Sequence, residues 1–198
     1  MENWIINGHI LEYEDTNHTY LVDGVIVPSV TQLIGLKFGN KYNHVRADVL
    51  ESAANRGTII HKQIERYCKG EEVETIKELH NFKFLMNYYN LKVVDNEIPI
   101  ILSYNYKPVA AGRLDLVLED RLDLCLADIK TTSTLDKNYL AYQLNLYRLG
   151  YMQSYGKDIK KLFGVHLKEN TRKLVDIPIA EEIVKELLEE YTKGAKYE

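Results

Sequence analysis

A chain of 198 residues with a net charge of −4, 45% hydrophobic and 27% charged residues has the balance of a soluble globular protein. It is long enough to bury one sizeable core. No run approaches the ~20 apolar residues of a membrane span, and Met1-Glu2-Asn3-Trp4 lacks the basic opening of a secretion signal. Two distant cysteines, Cys68 and Cys125, make no CxxC pair and read as reduced thiols of a cytoplasmic protein.

The elements follow in chain order. Residues 4–27 alternate and turn at Asn7-Gly8 and Asp23-Gly24, which predicts small β-hairpins. Pro28-Ser29 opens a helical run with Ser29 as N-cap. Helices are predicted over 56–69 and 75–90, and a strand over 92–106. Residues 110–118 and 122–130 are two apolar, β-prone runs separated by the charged break Glu119-Asp120-Arg121, as in a hairpin. From Asn138, Leu140, Gln143, Leu144, Tyr147 and Tyr151 fall at helical spacing. Two strands over 161–167 and 173–179 and an amphipathic helix over 180–193 close the chain. With no repeat or linker, residues 1–198 read as one domain carrying an N-terminal extension over about 1–55. The expected class is α/β (α+β), a mixed central sheet flanked by helices.

Charge is uneven along the chain. Residues 1–30 hold acids and no lysine or arginine, whereas residues 128–173 hold nine Lys/Arg against four Asp/Glu. A local basic face on an acidic protein can still hold DNA, though its alternative is an ordinary solvated surface.

The chemistry concentrates in Gly112-Arg113-Leu114-Asp115 and Asp128-Ile129-Lys130. An unpaired carboxylate in an apolar strand costs several kcal/mol. Two of them at one strand end need a counter-charge, which a divalent cation supplies. Lys130, two residues after Asp128, points to the same side of its strand. A lone strand aspartate could instead pair with Arg113 or Lys137. Gln143 and Tyr147, four apart, share one helix face.

Gly-x-x-Asp followed by Asp-x-Lys resembles the PD-(D/E)XK nuclease superfamily, whose fold is a restriction-endonuclease-like core. Gln143-x-x-x-Tyr147 resembles its RecB-like exonuclease branch, as does the Gly57-x-x-x-His61 helix, and Val27-Pro28-Ser29-Val30-Thr31 is similar to the opening of phage-borne members. These four motifs stand in the expected order between about residues 18 and 151. The resemblance implies a metal-dependent DNA nuclease, first an exonuclease, serving phage or prophage recombination or repair and leaving a 5′-phosphate and a 3′-hydroxyl. Asp115 and Asp128 would bind Mg²⁺ or Mn²⁺, with the Ile129 carbonyl and His61 as further ligands; imidazole favours manganese. Lys130 would orient water and offset charge on phosphorus. Gln143 and Tyr147 would hold the lysine, the water or a DNA phosphate, or simply pack the helix. Glu97 sits where many relatives keep a supporting acid; Glu65 and His18 are weaker candidates.

Expected partners are DNA and a single-strand annealing or recombination protein. A homo-oligomeric ring enclosing duplex is one arrangement, and no membrane is expected. Beside a metal-dependent enzyme acting on another phosphate ester, two more rival readings stand. The first is a CRISPR-adaptation-type nuclease, many of which carry four cysteines for an iron–sulfur cluster that this chain cannot hold. The second is a non-catalytic DNA- or protein-binding module that kept the fold, although neither the aspartates nor the lysine of the motif is missing. Fifteen tyrosines, among them Tyr139, Tyr142 and Tyr155 near lysines, could stack on unpaired bases, or pack with their hydroxyls exposed.

Overall fold

The computed structural model describes residues 1–39 and 46–194. A four-stranded antiparallel sheet comes first: β1 (Glu2–Ile6), β2 (His9–Glu14), β3 (Thr19–Val22) and β4 (Val25–Val27). Asn7-Gly8 and Asp23-Gly24 are left-handed at both positions, the backbone that a tight hairpin turn requires. Ser29 caps α1 (Val30–Phe38) as expected: its hydroxyl accepts from Gln32 N at 3.1 Å, and the Gln32 side chain takes the Ser29 N–H at 2.7 Å.

Helix α2 spans Ala47–Cys68, beginning well before the expected 56. Residues 47–55 include Ala, Leu and Glu, good helix formers, but they are almost wholly exposed. Val49, Leu50, Ala53 and Ala54 do fall at helical spacing, but two of the four are small and none is buried, so the stripe is weak. Helix α3 (Lys77–Tyr88) follows, trimmed by a residue or two at each end against expectation.

The main sheet runs in the order β5 (Lys92–Tyr104), β6 (Lys107–Asp120), β7 (Asp123–Lys130), β8 (Lys161–Lys168), β9 (Thr171–Ile177). The turn expected at 119–121 lies at Arg121-Leu122, because β6 and β7 pair out to Asp120–Asp123. Only β7 and β8 run parallel, and α4 (Lys137–Tyr155) makes the crossover between them. Asp136 caps that helix by accepting from Tyr139 N at 3.0 Å, and left-handed Gly156 ends it. Helix α5 (Glu181–Gly194) closes the chain. The α/β class with a mixed central sheet and flanking helices is therefore what the chain adopts.

Apolar residues divide into three bodies. Ile98, Ile100, Leu102, Leu126 and Leu162 pack with α1, α4 and α5 on one face. Leu116, Leu118, Ala127, Ile129 and Val165 pack with α2 and α3 on the other. The small sheet folds its inner face, Leu11, Tyr13, Tyr20 and Val22, against Ile101 and Ala111 of the main sheet. It is tied there by the Ala111 N–H, which donates to Pro28 O at 3.0 Å. No helix of the described residues is long and apolar enough to cross a membrane.

Removing the Ser29 cap should be mild and local, whereas emptying a fully buried ring should not. Ser29→Ala is expected to cost about 1 kcal/mol and Phe82→Ala, at 0% exposure, about 3–5 kcal/mol in urea unfolding. Equal costs for the two would contradict this division.

Candidate metal centre

The β6–β7 ladder ends at the Leu116–Ala127 pair. Extending its register by one step sets Asp115 opposite Asp128, at the point where the strands part. There the Asp115 carboxylate replaces the missing rung: its Oδ2 accepts the Ile129 N–H at 2.7 Å. Ile129 thus reaches the site through its N–H, whereas the resemblance names its carbonyl.

Three elements complete the cluster. His61, on the face of α2 between Ile60 and Ile64, brings Nδ1 to 3.6 Å from Asp115 Oδ2. Glu97 faces Asp115 from β5, since its neighbours pair as Asn96–Leu116 and Ile98–Leu114. One ligand atom each of His61, Glu97 and Asp115 lies within 4.8 Å of the others. Glu97 has a φ of +50°, a left-handed conformation that costs a non-glycine residue about 1–2 kcal/mol. Strain at that residue, inside a strand, aims a carboxylate at two other ligand groups.

Glu97 is also electrostatically costly. Burial, and then the Asp115 charge, push its carboxyl up to about 7, against the pull of Arg113. Asp128 is buried at 3% exposure. Desolvation raises its carboxyl pKa, the Lys130 ammonium opposes that, and Asp115 adds to it. Lys130 Nζ stands 2.6 Å from Asp128 Oδ2, an oxygen with no other polar partner among the described residues. The lysine is mostly buried, yet the neighbouring carboxylates outweigh desolvation and keep it protonated.

Gln143 Oε1 accepts from Lys130 Nζ at 2.9 Å. Helix α4 thus supplies the second hold on the ammonium. The contrast with Asn145 on the same helix is instructive: that amide is fully occupied by Ala141 O, Pro178 O and Ala180 N and braces the helix. Tyr147 lies a turn beyond Gln143, buried, with its hydroxyl pKa raised well above its ordinary value by desolvation and by the two aspartates. Its ring explains Gly112, where a Cβ would come within 3.0 Å of the ring and 3.2 Å of the hydroxyl. Gly57 has a similar reason, with Thr131 Oγ1 3.2 Å from where its Cβ would be.

Among the other sequence-derived candidates, Glu65 pairs with Lys69 at 2.5 Å, and His18 accepts or donates to the Tyr13 hydroxyl at 2.7 Å in the small sheet. Neither joins the cluster. Arg113, the alternative partner for a lone strand aspartate, holds Glu2 and Glu97 instead. His166 went unread; its Nε2 meets Thr132 O at 2.8 Å and fastens the segment just after Lys130, a role visible only once the register sets it beside Lys130. The basic stretch 128–173 is partly neutralised: Arg148 pairs with Asp158 and Glu181, Lys160 with Asp158, and Lys161 with Asp120. Of the tyrosines near lysines, Tyr142 is buried against Phe38, Tyr139 also packs on Phe38, and Tyr155 donates to Pro99 O. Both thiols are free, and burial raises each to about 11.

An imidazole nitrogen with two carboxylates is a donor set suited to Mn²⁺ and, with fewer nitrogens, to Mg²⁺. Bonds of roughly 2.0–2.6 Å place donors around one ion roughly 3–5 Å apart, which the cluster's spacing meets. No family model matches the chain, and no curated protein does. Among solved structures, the chain is similar to the one described as the crystal structure of SSO0001, with 18% identity over 82% of this chain and 73% of that one, at a TM-score of 0.46. A likeness that distant carries no inference about activity.

Because the folded state raises the Glu97 carboxyl from 4.5 to about 7, it holds that proton more tightly than the unfolded chain does. This contribution is full below pH ~4.5 and disappears as pH rises through ~7. Without divalent cations, Glu97→Gln should match wild type near pH ~4 and exceed it near pH ~8 by up to roughly 3 kcal/mol in chemical unfolding. A difference independent of pH would contradict the assignment.

Proposed function

We propose that the chain is a metal-dependent nuclease that hydrolyses the phosphodiester bonds of DNA. The observation that carries this reading is a lysine fixed between Asp128 and Gln143 beside an imidazole–carboxylate–carboxylate group of metal-binding spacing. The restriction-endonuclease-like core and the PD-(D/E)XK motif order belong to the same proposal, supported by the fork that opens between β6 and β7 at Asp115 and Asp128.

A bound Mg²⁺ or Mn²⁺ would polarise the phosphate and lower the pKa of a water. His61, Glu97 and Asp115 are the groups to hold it, while Asp128, the second carboxylate ligand that the resemblance implies, stands outside that group with its Oδ2 on Lys130. Oδ2 of Asp115 stays tied to the Ile129 N–H or exchanges that bond for the ion. Lys130 acts as a hydrogen-bond donor rather than a base, because Asp128 and Asp115 keep it charged. Its ammonium orients the attacking water and offsets the negative charge that grows on the phosphoryl oxygens. Gln143 sets the direction of that donor. Tyr147, packed under Gly112 and hydrogen-bonded to Gln143, lines the wall of the site beside Asp115 and Asp128.

Exonuclease action on DNA ends, beside a recombination or annealing protein, is the form favoured by the likeness to RecB-like phage enzymes. The test is degradation of end-labelled linear DNA and closed circular DNA in Mg²⁺, Mn²⁺ and EDTA. Wild type should consume the linear form in a metal-dependent way. Asp128→Ala and Lys130→Ala should each lose at least ~100-fold in rate while still binding DNA. Cleavage that survives both substitutions, or none by folded wild type in any metal, would overturn the reading.

A further inference from the structure

Arg113 is the charged group next to the metal cluster that the chemistry above leaves unused. It lies on β6 two residues before Asp115, and its side chain is 26% exposed, comparable to His61 at 30% and Glu97 at 24%. Its guanidinium is fixed on three sides. Nε is 3.7 Å from Glu97 Oε2, the ring of Tyr13 lies 4.9 Å from its central carbon, and Nη1 donates to both oxygens of Glu2 at 3.0 and 3.2 Å. Two of these groups come from the small N-terminal sheet, so that sheet's place on the molecule is set partly by this one cation.

The two carboxylates on Arg113 differ. Glu97 is half-buried and belongs to the cluster, where His61 and Asp115 wait within ligand distance. Glu2 is half-exposed at 52% and touches no other cation among the described residues. Both Glu2 oxygens share one guanidinium nitrogen, Nη1, rather than pairing fork on fork, and a phosphodiester oxygen is an acceptor of the same charge that can take their place there. An ion pair whose acid stands half in solvent adds little stability and exchanges readily.

We propose that Arg113 is a phosphate clamp for the DNA strand beside the metal centre, and that Glu2 holds the phosphate's place until the strand displaces it. The proposal rests on the nuclease reading for its substrate but adds to it a specific contact and an internal competitor. It gives a part to one acid of the N-terminal stretch that lacks lysine and arginine, Glu2, the acid of that stretch that pairs with Arg113.

The consequence is a pair of substitutions with opposite effects. With fluorescein-labelled DNA in EDTA, so that nothing is cut, Arg113→Gln should weaken binding several-fold. It should also reduce the slope of log affinity against log salt by about one. Glu2→Gln should tighten binding several-fold, more than Glu12→Gln, which makes the same change of charge on the same sheet without touching Arg113. In an Arg113→Gln background, Glu2→Gln should have no effect beyond that of Glu12→Gln. Arg113→Lys keeps the charge but not the fork and should recover the salt slope without full affinity. Should Arg113→Gln fail to fold, the comparison of Glu2→Gln with Glu12→Gln decides alone.

Equal effects of the two glutamate substitutions, or an unchanged salt slope in a folded Arg113→Gln protein, would overturn the clamp and leave the nuclease reading standing. Binding through Arg113 with no cleavage in any metal would overturn the nuclease reading and leave the clamp. A wild-type protein that binds labelled RNA but not DNA, or neither, would overturn both.

Discussion

The arrangement depends on a hydrogen bond between a side chain and a strand that has left its partner. Where β6 and β7 stop pairing, the Ile129 N–H would be left to find a partner, and the Asp115 carboxylate supplies one at 2.7 Å. That bond holds the fork open while keeping its arms in register. It places one carboxylate on each arm, delivers Lys130 two residues beyond, and leaves a gap that His61 enters from α2 and Gln143 from α4. A sheet paired to its ends here would have no room for any of them.

The cost of this arrangement is electrostatic. Asp128 is almost completely buried, Glu97 is strained in backbone and desolvated in side chain, and Lys130 is withdrawn from water. A buried ion pair such as Lys130–Asp128 rarely adds net stability over apolar residues of the same size. Its orientation is nonetheless over-determined by Gln143, as a group with a fixed chemical task would need. The surplus of negative charge over Asp115, Glu97 and Asp128 is what a divalent cation would neutralise, and the raised Glu97 carboxyl measures how poorly the protein does so unaided. Arg113 reaches that surplus from the opposite side, shared between Glu97 and Glu2.

Much of this is legible in the sequence because it rests on short-range rules. The hairpin turns at Asn7-Gly8 and Asp23-Gly24, the Ser29 cap and the strand–helix–strand crossover follow from local chemistry. The pairing of Lys130 with Asp128 follows from the period of a strand, and that of Gln143 with Lys130 from the motif order. Other features are set by register and packing, which no window of sequence contains. The first turns of α2 carry only a weak apolar stripe, and none of the described residues buries it. Glu97 is marked in the sequence only by the resemblance, as a supporting acid, and the β5–β6 register and its left-handed backbone are what put it against Asp115 as a ligand group. Arg113 looks like a partner for the aspartate two residues on, but its guanidinium reaches Glu97 on one neighbouring strand and Glu2 of a separate sheet. Gly112 and Gly57 stand in the motif pattern as isolated letters, and only the Tyr147 ring and the Thr131 hydroxyl give them a physical reason.

The central claim is that His61, Glu97 and Asp115 form a site for one divalent cation. Titration of Mn²⁺ into the metal-free protein, followed by the loss of the free ion's electron paramagnetic resonance signal, tests it most directly. The account predicts one bound Mn²⁺ per chain near neutral pH, with binding abolished by Asp115→Asn in a protein that unfolds at the wild-type denaturant concentration or above. Absence of binding to the folded wild-type chain, or stoichiometric binding that survives Asp115→Asn, would contradict it.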